Sequence, residues 1–143
     1  MEIIKMTKED AGELEALDKL CFSVPWSEKS FIEEAENPLA TYFVAKENNE
    51  IIGYGGIWQV QDEGQITNIA VHPDTRKKGI ASAILEKLIG EAKSSERIVL
   101  EVRESNIAAI CLYEKYGFKN CGIRKNFYHS PAENGIVMIR GEI

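Results

Sequence analysis

The chain has 143 residues, 44% of them apolar and 28% charged, with a formal net charge of −6 at pH 7. That length suits one domain of roughly 150 residues, and that composition excludes intrinsic disorder. No stretch approaches the roughly 18 uninterrupted apolar residues of a membrane helix, and the acidic balance argues against non-specific binding to nucleic acid.

Residues 2–6 predict a short strand. Thr7-Lys8-Glu9-Asp10 has the pattern of a capping box with Asp in the reciprocating place, and Ala11, Leu14, Leu17 and Cys21 follow at helical spacing. Ser27 caps a second helix carrying Phe31, Ile32 and Ala35, which Pro38 closes. Trp26, after Pro25 in the loop between these helices, is either a core anchor or a substrate-loop residue. Glu9, Asp10, Glu13 and Glu15 read as a solvated helix face. So do Glu33, Glu34 and Glu36, although an acidic rim there could attract a basic peptide.

Thr41 to Ala45 is rich in β-branched and aromatic residues and predicts a strand. Asn48-Asn49 is a turn, Ile51 to Val60 a second strand, and Glu63-Gly64 a turn into a third strand, Gln65 to Val71. Connections this short make an antiparallel meander. After Pro73, Ile80, Ile84, Leu88 and Ala92 recur every four residues, with Leu85 and Ile89 beside them, and predict a long amphipathic helix. A strand at Arg97–Arg103 and a helix from about Asn106 to Tyr116 follow, the latter ended by Gly117 as a left-handed cap. Lys119–Arg124 and Ile136–Arg140 complete the strands. The order predicts an α/β layered domain over residues 1–143, a mixed sheet of about six to seven strands flanked by about four helices.

Cys21, Cys111 and Cys121 form neither a disulfide framework nor a zinc motif. They read as buried apolar thiols in a reducing cytoplasm. Met1 to Met6 is too short and too mixed for a signal peptide.

Two stretches carry the chemistry. In Val71-His72-Pro73-Asp74-Thr75-Arg76-Lys77-Lys78-Gly79-Ile80-Ala81 a strand ends and a short loop opens the long helix. Unpaired N–H groups and a partial positive charge at a helix start make an anion site, and Gly79 and Ala81 leave room to approach it. Arg76, Lys77 and Lys78 add charge at its mouth. The other reading is a solvated basic loop before an ordinary helix. It is neither a Walker loop nor a dinucleotide fingerprint. In the second stretch, Ile98-Val99-Leu100-Glu101-Val102-Arg103, alternation puts Val99, Glu101 and Arg103 on one face. A carboxylate in mid-strand needs a reason: either Arg103 pairs it on an exposed face, or it lines a cleft as a general base. Asn106 and Tyr113, two turns apart, share a helix face about 10 Å along the axis. His72 reads as a loop residue, and His129 has no evident partner.

Together, Arg76-Lys77-Lys78-Gly79-Ile80-Ala81, Leu100-Glu101-Val102-Arg103, Asn106 and Leu112-Tyr113-Glu114-x-x-Gly117-Phe118 resemble the GNAT acetyltransferases. Pro25-Trp26-Ser27-Glu28, Asn68-Ile69-Ala70-Val71, Ser105-Asn106 and Arg124-Lys125-Asn126-Phe127-Tyr128 make the likeness strongest to the ribosomal-protein alanine N-acetyltransferase branch. The resemblance implies a sheet splayed between the strands near 65–71 and 97–103, with acetyl-coenzyme A in the gap and no metal. It implies that Ile69, Ala70 and Val71 run along the acetyl-pantetheine arm. Lys77, Lys78, Gly79, Ile80, Ala81 and Ser82 would hold the pyrophosphate, and Asn106 would bind the cofactor through its side chain. Glu101 would be the general base and Tyr113 the general acid, with Trp26 and Tyr128 on the substrate side. The expected partner is the amino-terminal segment of a ribosomal protein, small-subunit protein eighteen, acetylated by a monomeric cytoplasmic enzyme that binds neither membrane nor nucleic acid. Phe127 stands where relatives often carry Tyr, and Asn134-Gly135 where they commonly carry Asp-Ala. Two rival readings are a lysine or small-amine acetyltransferase of the same fold and a non-catalytic acyl-coenzyme A-binding module.

Overall fold

The computed structural model describes residues 1–141. A short strand, β1 (Glu2–Lys5), leads through one turn of 3-10 helix into α1 (Ala11–Cys21) and then α2 (Glu28–Glu36). The entry to α1 is held by Asp10, whose carboxylate accepts the Thr7 backbone N–H at 2.9 Å and lies 3.3 Å from the Lys46 ammonium. Ser27 caps α2 by accepting the Ser30 N–H at 3.2 Å. The meander β2 (Ala40–Glu47), β3 (Glu50–Val60) and β4 (Glu63–Val71) follows, then α3 (Ile80–Glu91), β5 (Arg97–Arg103), α4 (Ile107–Lys115), β6 (Lys119–His129) and β7 (Ala132–Gly141).

The seven strands form one sheet in the order β1-β2-β3-β4-β5-β7-β6. The β4–β5 pair is parallel and the other neighbours are antiparallel. One layer of packing joins α3 to the sheet through Ile80, Ile84, Leu85 and Leu88, all buried. Side chains of this kind contribute about 1.5–3 kcal/mol each on full burial. Gly55 in β3 is what lets α3 lie so close, since a Cβ there would stand 2.5 Å from Ile84 Cγ2. On the other side, α1 and α2 pack Leu14, Leu17 and Phe31 against Tyr42, Val44 and Tyr54.

Several expectations change. Glu63 and Gly64 belong to β4, and the turn before it is Gln61-Asp62, with Gln61 at φ 54°. The last two strands run to His129 and from Ala132, well past the predicted ends, because they form one long hairpin. Most of β6 is exposed, so no burial pattern marks its length. Cys111 and Cys121 are exposed and Cys21 only partly covered, so they are not buried thiols. Cys121 sits on the uncovered edge strand β6. Asp10 and Glu34 are buried rather than solvated. Glu34 is drawn in by the Trp58 indole N–H, 3.0 Å from its Oε1.

Candidate active site

Two irregularities open the sheet at its centre. The parallel ladder between β4 and β5 stops after Gln65 and Val99. Just beyond it, the β3–β4 register slips: Ile57 faces Ile66 and Gly56 faces Asn68, leaving Thr67 as a bulge residue. An extra residue bends its strand, and here the bend carries β4 away from β5. Thr67 is fixed by the Tyr42 phenol, 2.7 Å from its Oγ1.

The splay leaves polar strand edges without a neighbour. His72 N–H bonds to the Ile52 carbonyl at 2.7 Å, so the alternation of an antiparallel ladder turns the backbone groups of Ile69 and Val71 away from β3, into the gap. The Val71 carbonyl accepts there from Arg76 Nε at 3.1 Å and from the Cys21 thiol at 3.4 Å. Arg76 is thereby turned back onto β4 rather than standing free at the mouth of the α3 start.

Beyond β4 the chain reaches Gly79, the residue that opens α3, at φ 78°. Glycine tolerates this left-handed backbone, and a Cβ there would meet nothing within 4 Å. No side-chain hydrogen bond caps α3 at Gly79, so the first N–H groups, those of Ile80, Ala81 and Ser82, have no partner within the helix. Lys77 and Lys78 are exposed beside them. This ledge suits an anion, and the unmatched edge of β4 suits an amide-bearing arm, so the residues present fit acetyl-coenzyme A.

The gap continues into a cleft of about 630 Å³. Glu101, Tyr113, Asn106, Ile69, Trp26 and Tyr128 all line it. Ala70 and Val71 are buried beside Ile69, and Lys77 to Ser82 lie at the α3 start, outside the cleft proper. Of the two alternatives for Glu101, the cleft is the one observed. Arg103 pairs with Glu133 at 3.1 Å, and the neighbour of Glu101 is Arg124, whose Nε is 3.7 Å from Oε1. Tyr113 is buried against Phe118, ring centroids 5.8 Å apart. Burial, aided by nearby Tyr128, pushes its phenol up to about 12. Asn106 caps α4 by accepting the Ala109 N–H at 3.2 Å through Oδ1, which leaves its amide nitrogen for a ligand.

Trp26 is packed among aromatic side chains and also faces the cleft. Its ring lies 5.5 Å from Phe31 and 6.3 Å from Tyr42, and it walls the cleft. Tyr128 has the Arg103 guanidinium over its ring at 4.4 Å. Phe127 also lines the cleft, and a Cβ at Gly135 would come within 3.1 Å of its ring. His129 lines the cleft mouth; His72 stays in its loop, its Nδ1 accepting the Asp74 N–H at 3.1 Å.

One residue of the site escaped the sequence. Asp18 is fully buried at the base of the cleft. It accepts the Tyr54 hydroxyl at 2.6 Å and the Trp26 backbone N–H at 2.8 Å, while Asn68 donates to the Tyr54 oxygen at 3.2 Å. Burial raises its pKa against those two hydrogen bonds. Its position four residues after Leu14, on the apolar stripe of α1, was the available signal. Among the described residues, no group of three or more His, Cys, Asp or Glu is placed to hold a metal ion, and no helix is long and apolar enough to cross a membrane.

The acetyltransferase (GNAT) family model matches residues 12–118. The [ribosomal protein bS18]-alanine N-acetyltransferase of Escherichia coli K12 is 38% identical over 128 residues, covering 85% of this chain and 84% of its own. The Haemophilus influenzae enzyme of that name is 39% identical over 136 residues, 90% of each chain. The crystal structure of the ribosomal-protein-S18-alanine N-acetyltransferase from Escherichia coli superposes with a TM-score of 0.89 at 32% identity, over 99% of this chain and 95% of that one.

Proposed function

The chain belongs to the GNAT family and is an acetyl-CoA-dependent N-acetyltransferase, and from that premise we propose that its acceptor is the α-amino group of alanine at the start of ribosomal protein bS18. The observation that carries the reading is the splayed cleft, which gathers Glu101, Tyr113 and the substrate-side Trp26 and Tyr128 around one space. The name borne by relatives 38–39% identical over most of their length supports the choice of acceptor.

Acetyl-CoA supplies the activated acetyl group. The chain's own residues do the rest. The uncapped start of α3, from Lys77 to Ser82, holds the pyrophosphate through main-chain N–H groups, and Asn106 adds its side-chain amide. Ile69, Ala70 and Val71 lie along the pantetheine arm. An α-amino group has an ordinary pKa of about 8, against roughly 10.4 for lysine. Near pH 7 it is already partly neutral, and Glu101 takes the remaining proton, directly or through water. Backbone N–H groups of β4 facing the gap stabilise the negative charge that develops on the acetyl oxygen. Tyr113, whose burial keeps it protonated, gives its proton to the departing sulfur. No covalent enzyme intermediate is needed, so positioning supplies much of the acceleration. The reading includes a cytoplasmic monomer spanning residues 1–143 as a single domain.

The test is acetyl transfer to purified bS18, followed by fragment mass spectrometry. One acetyl on the amino-terminal fragment supports the assignment; an acetyl on internal lysines, or none, counts against it.

A further inference from the structure

β5 presents two charged side chains to the cleft, and the chemistry above uses only Glu101. The other, Arg103, is the more heavily bonded. Its Nη1 donates to the Pro131 carbonyl at 3.0 Å and to Glu133 Oε1 at 3.1 Å. Its Nη2 donates to the Ser130 carbonyl at 3.4 Å, and the guanidinium covers the Tyr128 ring at 4.4 Å. Glu133 reaches back through its second oxygen to the Ser105 backbone N–H at 2.6 Å. One side chain on a regular strand thus ties down the whole turn of the β6–β7 hairpin. That turn is the part of the hairpin that overhangs the cleft, through Tyr128, His129 and Ser130. A planar fork spreads its five donors over two terminal nitrogens and Nε, so it meets two carbonyls and a carboxylate while its face covers a ring, whereas a lysine ammonium offers three donors from a single nitrogen and no planar face.

The side-chain contacts of Arg103 are all with residues 128–133. They do not include Ile69, the α3 start or the Asn106 side chain. Phe22, Ser23, Val24 and Trp26 also line the cleft, and the Ser23 hydroxyl donates to the Ser130 carbonyl of that turn.

We propose that Arg103 is a positioning residue for the acceptor: its side chain holds residues 128–133 over the cleft so that Tyr128 faces Glu101 and Tyr113 on the acceptor side, and it makes no contact with Ile69 or the α3 start. This deepens the reading of the acceptor as a polypeptide amino terminus and rests on it.

The experiment compares wild type, Arg103→Lys and Arg103→Gln in the full chain. KM is measured separately for an alanine-initiated peptide and for acetyl-CoA, and amide hydrogen exchange is measured at residues 126–134 without ligand. The expected result for Arg103→Gln is a rise of about tenfold or more in peptide KM, the change equivalent to one lost charge-assisted hydrogen bond, with acetyl-CoA KM within about twofold of wild type. Exchange at 126–134 speeds up in both variants, and Arg103→Lys recovers only part of the KM. A parallel rise in both KM values, or unchanged exchange at 126–134, would overturn the proposal. A wild-type protein that leaves the peptide α-amine unmodified would overturn the acceptor reading instead. The two failures are distinguishable, because exchange would still rise in the variants.

Discussion

Replacing Tyr113 with Phe deletes one oxygen from the cleft wall and nothing else. Tyr113 is 9% exposed and lines the cleft, and its hydroxyl has no hydrogen-bonded protein partner among the described residues. Stability should therefore change by less than about 1 kcal/mol, because no intramolecular hydrogen bond is lost. Tyr54 makes the contrast. Its hydroxyl gives a 2.6 Å bond to Asp18 and receives Asn68 at 3.2 Å, so Tyr54→Phe should cost about 1.5–3 kcal/mol. Turnover should behave the opposite way at Tyr113. Loss of a positioned general acid removes ~10²–10⁴ in rate, or ~2.7–5.4 kcal/mol of barrier lowering. The phenol, raised to about 12, stays protonated through neutral pH, so the wild-type kcat profile should show no descending limb from it below about pH 11. Thiol release at saturating substrates reads kcat, and calorimetric melting reads stability. Turnover of Tyr113→Phe within about threefold of wild type would refute the acid role. A loss of stability as large as that of Tyr54→Phe would refute the claim that the hydroxyl is unpaired.

Glu101→Gln should lower kcat by ~10²–10⁴ while leaving acetyl-CoA affinity unchanged by calorimetry, with the deficit shrinking at high pH, where the α-amine is already neutral; lost cofactor affinity would contradict the base assignment. Gly79→Ala forces alanine into φ 78°, so stability should fall by about 1 kcal/mol in urea denaturation, and the added methyl on the α3 ledge should weaken acetyl-CoA binding. Unchanged affinity would mean that the ledge is not the pyrophosphate site. Asp18 has its pKa raised by burial above its ordinary 3.8, so the folded chain holds that proton more tightly than the unfolded one. Its stabilising contribution is full below pH 3.8 and is lost as pH rises through the folded value. Asp18→Asn, which cannot titrate, should flatten that part of the stability curve when urea midpoints are compared between about pH 4 and 7. An unaltered slope would place the pH dependence elsewhere.

The parts of the fold legible in the sequence are those whose burial is periodic. β5 alternates strictly, Ile98, Leu100 and Val102 inside and Val99, Glu101 and Arg103 outside, and its ends agree with expectation. The stripe Ile80, Ile84, Leu88 and Ala92 is buried throughout. The hairpin of β6 and β7 extends past its expected ends: β6 has almost no buried side chain, so hydrophobic alternation cannot mark where it stops. The turn at Gln61-Asp62 was hidden because Gln61 carries the positive φ, a conformation more expected of the Gly64 nearby. Glu101, Tyr113 and Asn106, which the GNAT resemblance singles out, line one cleft. What no local pattern could supply was the partners. Asp18 is satisfied by Tyr54 from β3, Glu34 by Trp58, and Arg103 by the turn after β6 rather than by Glu101 two residues away. Each bond joins residues far apart in the chain, so each appears only once the sheet is assembled.

We propose that acetyl moves to a chain-terminal α-amine in the splayed cleft. Two matched peptides test it most directly: one with a free amino-terminal alanine followed by basic residues, the other with a blocked amino terminus and an internal lysine. Both are incubated with the enzyme and acetyl-CoA and sequenced by fragment mass spectrometry. The expected result is acetyl on the free α-amine of the first peptide and none on the second. Acetyl on the internal lysine, or on neither peptide while acetyl-CoA demonstrably binds, would contradict it.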